Sequence, residues 1–403
     1  MYDILDGIRV VEVAGFLMVP TAAAVLADWG ADVIKIEHPI NGDPYRGLRN
    51  DAVQPGMQNP MLELPNRGKR SVGLDISTAE GLEVLYELVR NADVFLTSFL
   101  MPTLKKLKLD WDSIHAVNPR VVYARGSGYG PRGPDADTPA FDLAATWARA
   151  GFIYRMTPPD APSPVQFPGS VGDLSAGLSL ASGVGAALYK REKTGEGLQV
   201  DVSLYHTGMW IMGQSIGAAP LGLAPKPPSS SGDVPRNPLV NAYRTADNRW
   251  LVLCVLQSDK HWADFCQHIE HPELVDDPRF ADIFAREQNS ADLVAILNGV
   301  FAEDDLDGWR QRLKTMTGVW APALSADEVS VDPQVLENDY FAEVEALDGS
   351  VFRSVASPMQ YGGKTIGRLK AMPEHAQHTE EVLLEFGWTW DDLARMKDAA
   401  VIA

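Results

Sequence analysis

Cysteine is almost missing from this chain: Cys254 and Cys266 are the only two in 403 residues. Their spacing provides neither a disulfide framework nor a CxxC metal pair, so both read as buried thiols in a reducing cytoplasm. Positive charge is scarce as well. Lys and Arg number 35 against 54 Asp and Glu, a formal charge of −19. That balance argues against nucleic acid as a partner, because phosphate backbones need a basic surface. No uninterrupted apolar run approaches 18 residues and no charged-then-apolar leader is present, so neither membrane insertion nor export is expected. Internal repeats, low-complexity tracts and metal-ligand spacings are also missing.

What is present is a hydrophobic content of 45% in a chain long enough for a large core and two domains. The N-terminal half alternates short apolar runs with helical stretches. Strands are expected at Ile8 to Val13, Asp32 to Glu37, Ser71 to Leu74, Val94 to Thr97 and Val121 to Gly126. Helices are expected between them at Thr21 to Trp29, Thr78 to Asn91 and Pro102 to Leu107. Such alternation predicts an α/β fold with a doubly wound parallel sheet. Gly126-Ser-Gly-Tyr-Gly130 lacks the third glycine of a dinucleotide fingerprint, and Pro131 and Pro134 oppose a helix after it, so nicotinamide binding is rejected. Two readings of this turn remain: the lining of an active site, or plain surface.

Residues 220–238 are rich in Pro, Ser and Gly and form the best linker in the chain. It separates a large domain, 1–219, from a small α+β domain, 239–324, with a hairpin over Ala242 to Leu256. Helices are expected there near His261 to Ile269, Asp282 to Phe301 and Asp304 to Lys314. Residues 325–403 are expected to hold a second linker and C-terminal helices, Thr379 to Phe386 and Asp391 to Lys397, that return to the large domain.

Chemistry concentrates around Asp173, where the stretch Phe167-Pro-Gly-Ser-Val-Gly-Asp-Leu-Ser-Ala-Gly-Leu178 leads from a Gly-rich turn into a helix over Ala176 to Arg191. Gly177, Ala181 and Gly185 recur at four-residue spacing and clear one face for close packing, so deep burial is expected. A helix N-terminus keeps a carboxylate ionised and binds a developing oxyanion. Locally, Asp173 reads as an N-cap before it reads as a nucleophile, since Asp is a preferred capping residue.

Several segments, in order, bear on that choice: Leu5-Asp-Gly-Ile-Arg-Val-Val-Glu-Val13, Leu26-Ala-Asp-Trp-Gly-Ala-Asp-Val-Ile-Lys-Ile-Glu-His-Pro39, Asn66-Arg-Gly-Lys-Arg-Ser71, Asn118-Pro-Arg-Val-Val-Tyr123, Gly169-Ser-Val-Gly-Asp173 and Lys193-Thr-Gly-Glu-Gly-Leu-Gln-Val-Asp-Val202. With them the chain resembles the class III coenzyme A transferases, the CaiB/BaiF type that includes formyl-CoA transferase, carnitine CoA-transferase and α-methylacyl-CoA racemase. The resemblance implies a Rossmann-like large domain, a smaller domain and two interlocked chains in a homodimer, with the active site at the domain and subunit interface.

It also implies the reaction. Coenzyme A moves from an acyl-CoA thioester to a free carboxylic acid through intermediates on Asp173, with acyl-CoA as substrate and no permanently bound cofactor. Oxyanion donors are sought in the Gly169 to Gly172 turn or at Leu174 and Ser175. Asp142 aligns with an assisting acidic residue and fits a helix cap too. In the racemases a His that shuttles the α-proton stands where Phe141 is found, so transfer is preferred over racemisation. Hydrolysis of acyl-CoA and non-catalytic CoA binding are the other classes.

Adenine and phosphate contacts are expected around Phe16, Leu17, Met18, Val19, His38, Lys69, Ser98, Phe99 and Lys106. Formyl-CoA transferase has Gln at the position of Leu17 and Arg at those of His38 and Lys106, and these are departures. For an acidic protein the phosphates of coenzyme A need local cations, and Arg67, Lys69 and Arg70 form the clearest cluster, alternatively a solvated surface. Leu17, Phe141, Trp147, Phe152, Tyr154 and Met156 point to an aryl, branched or medium-chain acyl group, larger than formate or oxalate, although aromatics at such spacing also build cores.

Overall fold

The computed structural model describes residues 1–48, 59–166, 169–229 and 233–403. Phe167, at the head of the Asp173 stretch, and residues 230–232 of the expected linker lie outside the described residues. The chain divides into a larger unit, residues 1–157, 162–227 and 336–403, and a smaller one, residues 158–161 and 228–335. Residues 325–335 therefore group with the smaller unit, and the return to the larger one begins at Leu336.

Strand β1 (Arg9–Val13) leads through helix α1 (Met18–Asp28) to β2 (Asp32–Glu37), and α2 (Pro60–Asn66) precedes β3 (Arg70–Gly73). Helix α3 (Ala79–Arg90), β4 (Val94–Thr97), α4 (Met101–Leu107), α5 (Trp111–Val117) and β5 (Val122–Ser127) follow. After a π-helix over Leu143–Arg149 come α6 (Phe152–Met156), the long α7 (Val171–Thr194) and β6 (Leu198–Ser203). The six strands are all parallel, in the order β3-β2-β1-β4-β5-β6. This is the doubly wound Rossmann order.

Apolar β-branched runs buried on both sides explain the strands. Val10, Val33, Val94 and Leu96 pack towards α1 and α7, whereas Val11, Ile34, Phe95 and Tyr123 join the layer of α3 and α5. The expected strands at Asp32–Glu37 and Val94–Thr97 have the observed bounds. Strand β6 and helix α5 were not expected. Leu198–Ser203 is only a short alternating stretch, and it needs the β5 edge to become a strand.

Helix α7 begins at Val171, so Asp173 lies inside its first turn and is not the N-cap; Ser170 is. The helix is buried on one face only, with Ser179, Ser182 and Tyr189 exposed, which corrects the expectation of deep burial. Gly177 meets α1 closely, but a Cβ at Gly185 would meet nothing from another element within 4 Å among the described residues. By length and composition α7 also passes as a membrane-crossing helix, although its buried residues pack in the sheet layer.

In the smaller unit β7 (Val240–Arg244), β8 (Trp250–Cys254) and β9 (Trp320–Pro322) form an antiparallel sheet that includes the expected hairpin. The helix expected over Asp282 to Phe301 is two, Ile283–Gln288 and Ser290–Phe301, divided at Asn289. Tyr243, Leu251, Phe265, Phe301 and Trp309 centre this unit's core. Cys266 is buried there, but Cys254 is exposed, a correction to the reading of two buried thiols.

Residues 336–403 add a three-stranded sheet, β10 (Phe341–Glu345), β11 (Val351–Val355) and β12 (Leu369–Lys370), where the sequence suggests a connecting stretch. Its strands are short and half exposed, which leaves little apolar signal. The same segment covers the β3 edge of the large sheet. Gly68 N–H donates to Lys370 O, His378 N–H to Ser71 O, and Ala403 N–H to Gly73 O.

A Cβ at Gly177 would lie 2.6 Å from Met18 O and 2.7 Å from Thr21 Cβ. Gly177→Ala is therefore expected to destabilise the protein by about 1–3 kcal/mol through overpacking. Gly299, exposed in a helix with open space around its Cβ, is its control: Gly299→Ala is expected to stabilise by about 0.5–1 kcal/mol. Urea unfolding of the two variants checks the opposite signs.

Candidate active site

A cleft of about 190 Å³ opens at the carboxyl ends of β1, β4 and β5. It lies where the strand order reverses between β1 and β4, the switch point at which open parallel sheets bind ligands. Gly15, Phe16, Leu17 and Met18 line it from the β1–α1 loop, Ser98 and Leu100 from the end of β4, and Gly126, Ser127 and Gly128 from β5. Asp173, Phe141 and Leu204 complete the wall. The Gly126 turn thus lines the cleft, the first of its two readings.

Asp173 occupies the third position of α7 with its carboxyl largely buried. Burial, and then the neighbouring Asp142 carboxylate, push it up to about 7. The expectation that the helix end keeps it fully ionised is corrected accordingly. Asp142 does not cap the π-helix that follows it; its Oδ2 accepts from Gly172 N–H at 3.2 Å. A side chain at Gly172 would collide with Asp142 Oδ1 and Thr146 Oγ1, so only glycine lets α7 start against that carboxylate. Burial raises Asp142 too, against hydrogen bonds from Thr146 and Gly172.

The expected oxyanion donors are already engaged in part: Gly172 N–H by Asp142, and Leu174 N–H by Ser170 O. Helix α1, by contrast, starts in the cleft without a side-chain cap at Leu17, and its first intrahelical bond comes from Thr21 N–H. The N–H groups of Met18 and Val19 belong to that uncapped first turn.

A buried ion network holds the β1–α1 loop. Lys35 Nζ lies 2.8 Å from Glu12 Oε1, 2.9 Å from Asp43 Oδ2 and 3.0 Å from Ala14 O. Lys69 Nζ contacts Glu12 Oε2 at 2.6 Å and donates to Pro20 O at 2.9 Å. Burial opposes charge on Lys35, yet Glu12, Asp43 and Glu37 overcome it and hold the ammonium above its usual range. Burial wins at Lys69, which falls to about 8 despite Glu12. Asp43 Oδ1 then accepts from the N–H groups of Phe16 (3.1 Å) and Tyr45 (2.9 Å). Phe16 sits at φ 64°, a left-handed conformation that costs a non-glycine residue about 1–2 kcal/mol.

The structure therefore brings Asp173, Asp142, Phe16, Leu17, Met18 and Ser98 together, and leaves other expected contacts elsewhere. Val19 packs beneath the cleft against Gly126. Phe99 lies against the opposite layer. Arg67 is held by Asp28, Ser354 and Val355 O, Lys69 by Glu12, and Arg70 by Asp32 and Glu385. The expected phosphate-binding cluster of Arg67, Lys69 and Arg70 is thus corrected, since carboxylates from other elements take up their donors. His38 is exposed with Nδ1 accepting from Ile40 and Asn41 N–H. Lys106 is exposed in α4, and no ion pair engages it, Lys105 or Lys108 among the described residues. Of the aromatic series only Phe141 lines the cleft; Trp147 pairs with Phe152, and Tyr154 and Met156 are exposed.

Sequence reasoning missed Asp43, Glu12 and Lys35. The signal was available: a charge in the middle of Val10-Val-Glu-Val13 and of Val33-Ile-Lys-Ile36 contradicts a doubly buried strand unless the two meet.

Known proteins extend this picture. The sequence model of CoA-transferase family III matches residues 5–379. The chain belongs to that family. It is 33% identical to the (R)-2-hydroxy-4-methylpentanoate CoA-transferase of Clostridioides difficile over 99% of both chains. It is 30% identical to the cinnamoyl-CoA:phenyllactate CoA-transferase of Clostridium sporogenes over 98% of this chain and 96% of that one. Among solved structures, a CaiB/BaiF family protein of Brucella suis matches with a TM-score of 0.80 at 26% identity, covering 95% of this chain and 99% of the other. A Rossmann-like α/β fold and CoA transfer follow from this membership, with CoA thioesters as the substrates of such enzymes.

The raised Asp173 has a consequence for stability. Its folded value of about 7 lies above the unfolded carboxyl value near 4, so the folded state holds the proton more tightly. Stability from the protonated form is present below about pH 4 and is lost as pH rises to about 7. Asp173→Asn is expected to be more stable than the parent by on the order of 2 kcal/mol at pH 8 and near-neutral at pH 4. Thermal unfolding at the two pH values measures it.

Proposed function

We propose that this protein is an acyl-CoA:carboxylate CoA-transferase in which Asp173 is the covalent nucleophile. The observation that carries this is a single carboxyl, poised near neutral pH, standing in the cleft at the sheet's switch point beside an uncapped helix start. The ionised Asp173 attacks the thioester carbonyl and expels the CoA thiolate, which leaves an aspartyl mixed anhydride. The thiolate then attacks the aspartyl carbonyl carbon, releasing the donor acid and forming an aspartyl-CoA thioester. An acceptor carboxylate attacks that thioester, and CoA finally passes to the new acyl carbonyl, which restores Asp173.

The chain's residues support these steps by position and charge. Asp142 modulates Asp173 through its negative charge. The Met18 N–H, at the positive end of α1, serves developing oxyanions. Ser98 and the Phe16 to Met18 loop flank the bound thioester. Lys106, with Lys105 and Lys108, offers exposed cations at the far end of α4, about 9 Å along a helix that begins at the cleft. Coenzyme A phosphates fit there better than at Arg67 or Lys69, and His38 supplies a further contact. Phe141 has no titratable proton, so racemisation lacks its second base. The compartment is the cytoplasm.

Asp173→Ala is expected to abolish transfer, at least 10³-fold in kcat by the order of magnitude of a lost nucleophile, while CoA affinity stays near that of the parent. Hydroxylamine trapping after addition of acyl-CoA should modify Asp173 alone. Substantial turnover by folded Asp173→Ala sinks the assignment. An acyl-CoA panel with and without free acids separates transfer from hydrolysis.

We further propose a homodimer, interlocked as the family resemblance implies. Trp210, Leu221 and Leu223 are 82%, 73% and 70% exposed in the single chain, apolar surface that calls for cover. An obligate interface of roughly 2,000–5,000 Å² is expected. Sedimentation at nanomolar concentration should show a dimer, and a folded, active monomer would remove the idea.

A further inference from the structure

Phe16 and Phe141 meet edge to face across the cleft, with ring centroids 4.9 Å apart and planes at 71°. They come from distant parts of the chain, the β1–α1 loop and the segment before the π-helix. Phe16 holds its place through the backbone: Asp43, itself paired with buried Lys35, accepts the Phe16 N–H in the left-handed conformation. Phe141 keeps 58% of its surface exposed even so. A fixed, exposed aromatic face beside a carboxyl nucleophile is an unsatisfied apolar surface at the place where an acyl chain must lie.

We propose that the Phe16–Phe141 pair is the acyl-selecting element of this enzyme, favouring acyl groups that end in an aryl ring or a branched alkyl group, with Asp43 as its positioning residue. Most of the remaining wall agrees, since Leu17, Met18, Leu100, Ala140 and Leu204 are apolar and only Ser98 and Ser127 add hydroxyls. An aryl end adds a third ring to the edge-to-face pair, and a branched end covers the ring face. A formyl or acetyl group leaves both rings wet and gains nothing from them. The inference rests on the reading of Asp173 as the group that receives the acyl chain.

Steady-state kinetics with 3-phenylpropanoyl-CoA, 4-methylpentanoyl-CoA and acetyl-CoA as donors test it. The parent is expected to prefer the two larger donors in kcat/KM, and Phe141→Ala to reduce that preference by about 10-fold or more, the scale of a lost apolar contact. The loss should appear mainly for the larger donors, with acetyl-CoA little changed. Phe16→Ala should also reduce the preference, and the double variant should lose no more of the preference than either single one, because the rings act as a pair. Asp43→Asn should lower the preference less, with circular dichroism reporting an intact fold. An unchanged preference in folded Phe141→Ala, or an equal loss for all three donors, overturns the proposal. Hydroxylamine trapping on the parent keeps the two readings apart. If Asp173 is labelled but the preference does not move, the selector is wrong and the nucleophile stands; if no donor labels Asp173, the nucleophile assignment falls first.

Discussion

Two lysines and two acidic residues, closed off from water towards the carboxyl ends of β1 and β2, hold the loop on which the cleft is built. Lys35 bridges Glu12 and Asp43, and Lys69 returns to the other oxygen of Glu12. Breaking such a buried set by removing one partner leaves an uncompensated charge, at about 3–5 kcal/mol. Its geometry is what lets Asp43 seat the backbone of Phe16 and Tyr45, and Gly15 is close enough that a Cβ there would be 3.1 Å from Asp43 Oδ1. The left-handed Phe16 is therefore a consequence of electrostatics one layer below the surface.

The opposite wall obeys a different constraint. Helix α7 can start against Asp142 only because Gly172 has no side chain, and it can lie on α1 only because Gly177 has none. The first approach seats the start of α7 against Asp142 and Thr146, and the second lays its next turn on the first turn of α1. Asp173 is in this way delivered by packing, and its proton affinity is set by how dry that junction is.

Much of the sheet was legible in the sequence, because strands buried on both sides write themselves as short apolar runs; the bounds of β2 and β4 match to the residue. The strand order was not legible, since nothing local to Val94 says that it pairs with Val10. Arg67, Lys69 and Arg70 failed for the same reason: their partners Asp28, Glu12 and Asp32 lie far back along the chain and meet them only once β2 and β3 pair. Asp173 stood out through its Gly-rich turn and helix start, and the Phe16 to Met18 loop through resemblance. Local pattern alone could not distinguish a nucleophile from a cap. Helix α7 extends to Val171 because tertiary contacts at Gly172 outweigh the poor helix propensity of the Gly-rich turn.

The cover over β3 has a meaning for how the molecule is made. Its backbone neighbours are Lys370, His378 and Ala403, roughly three hundred residues later in the chain. While a ribosome is still producing the inserted smaller unit, the parallel sheet already has the apolar runs to assemble, but its β3 edge stands open. An open edge of a sheet invites another nascent chain. Arg70, charged and set in that strand, is the guard present from the start; it keeps the edge unattractive until the tail arrives and Glu385 closes over it.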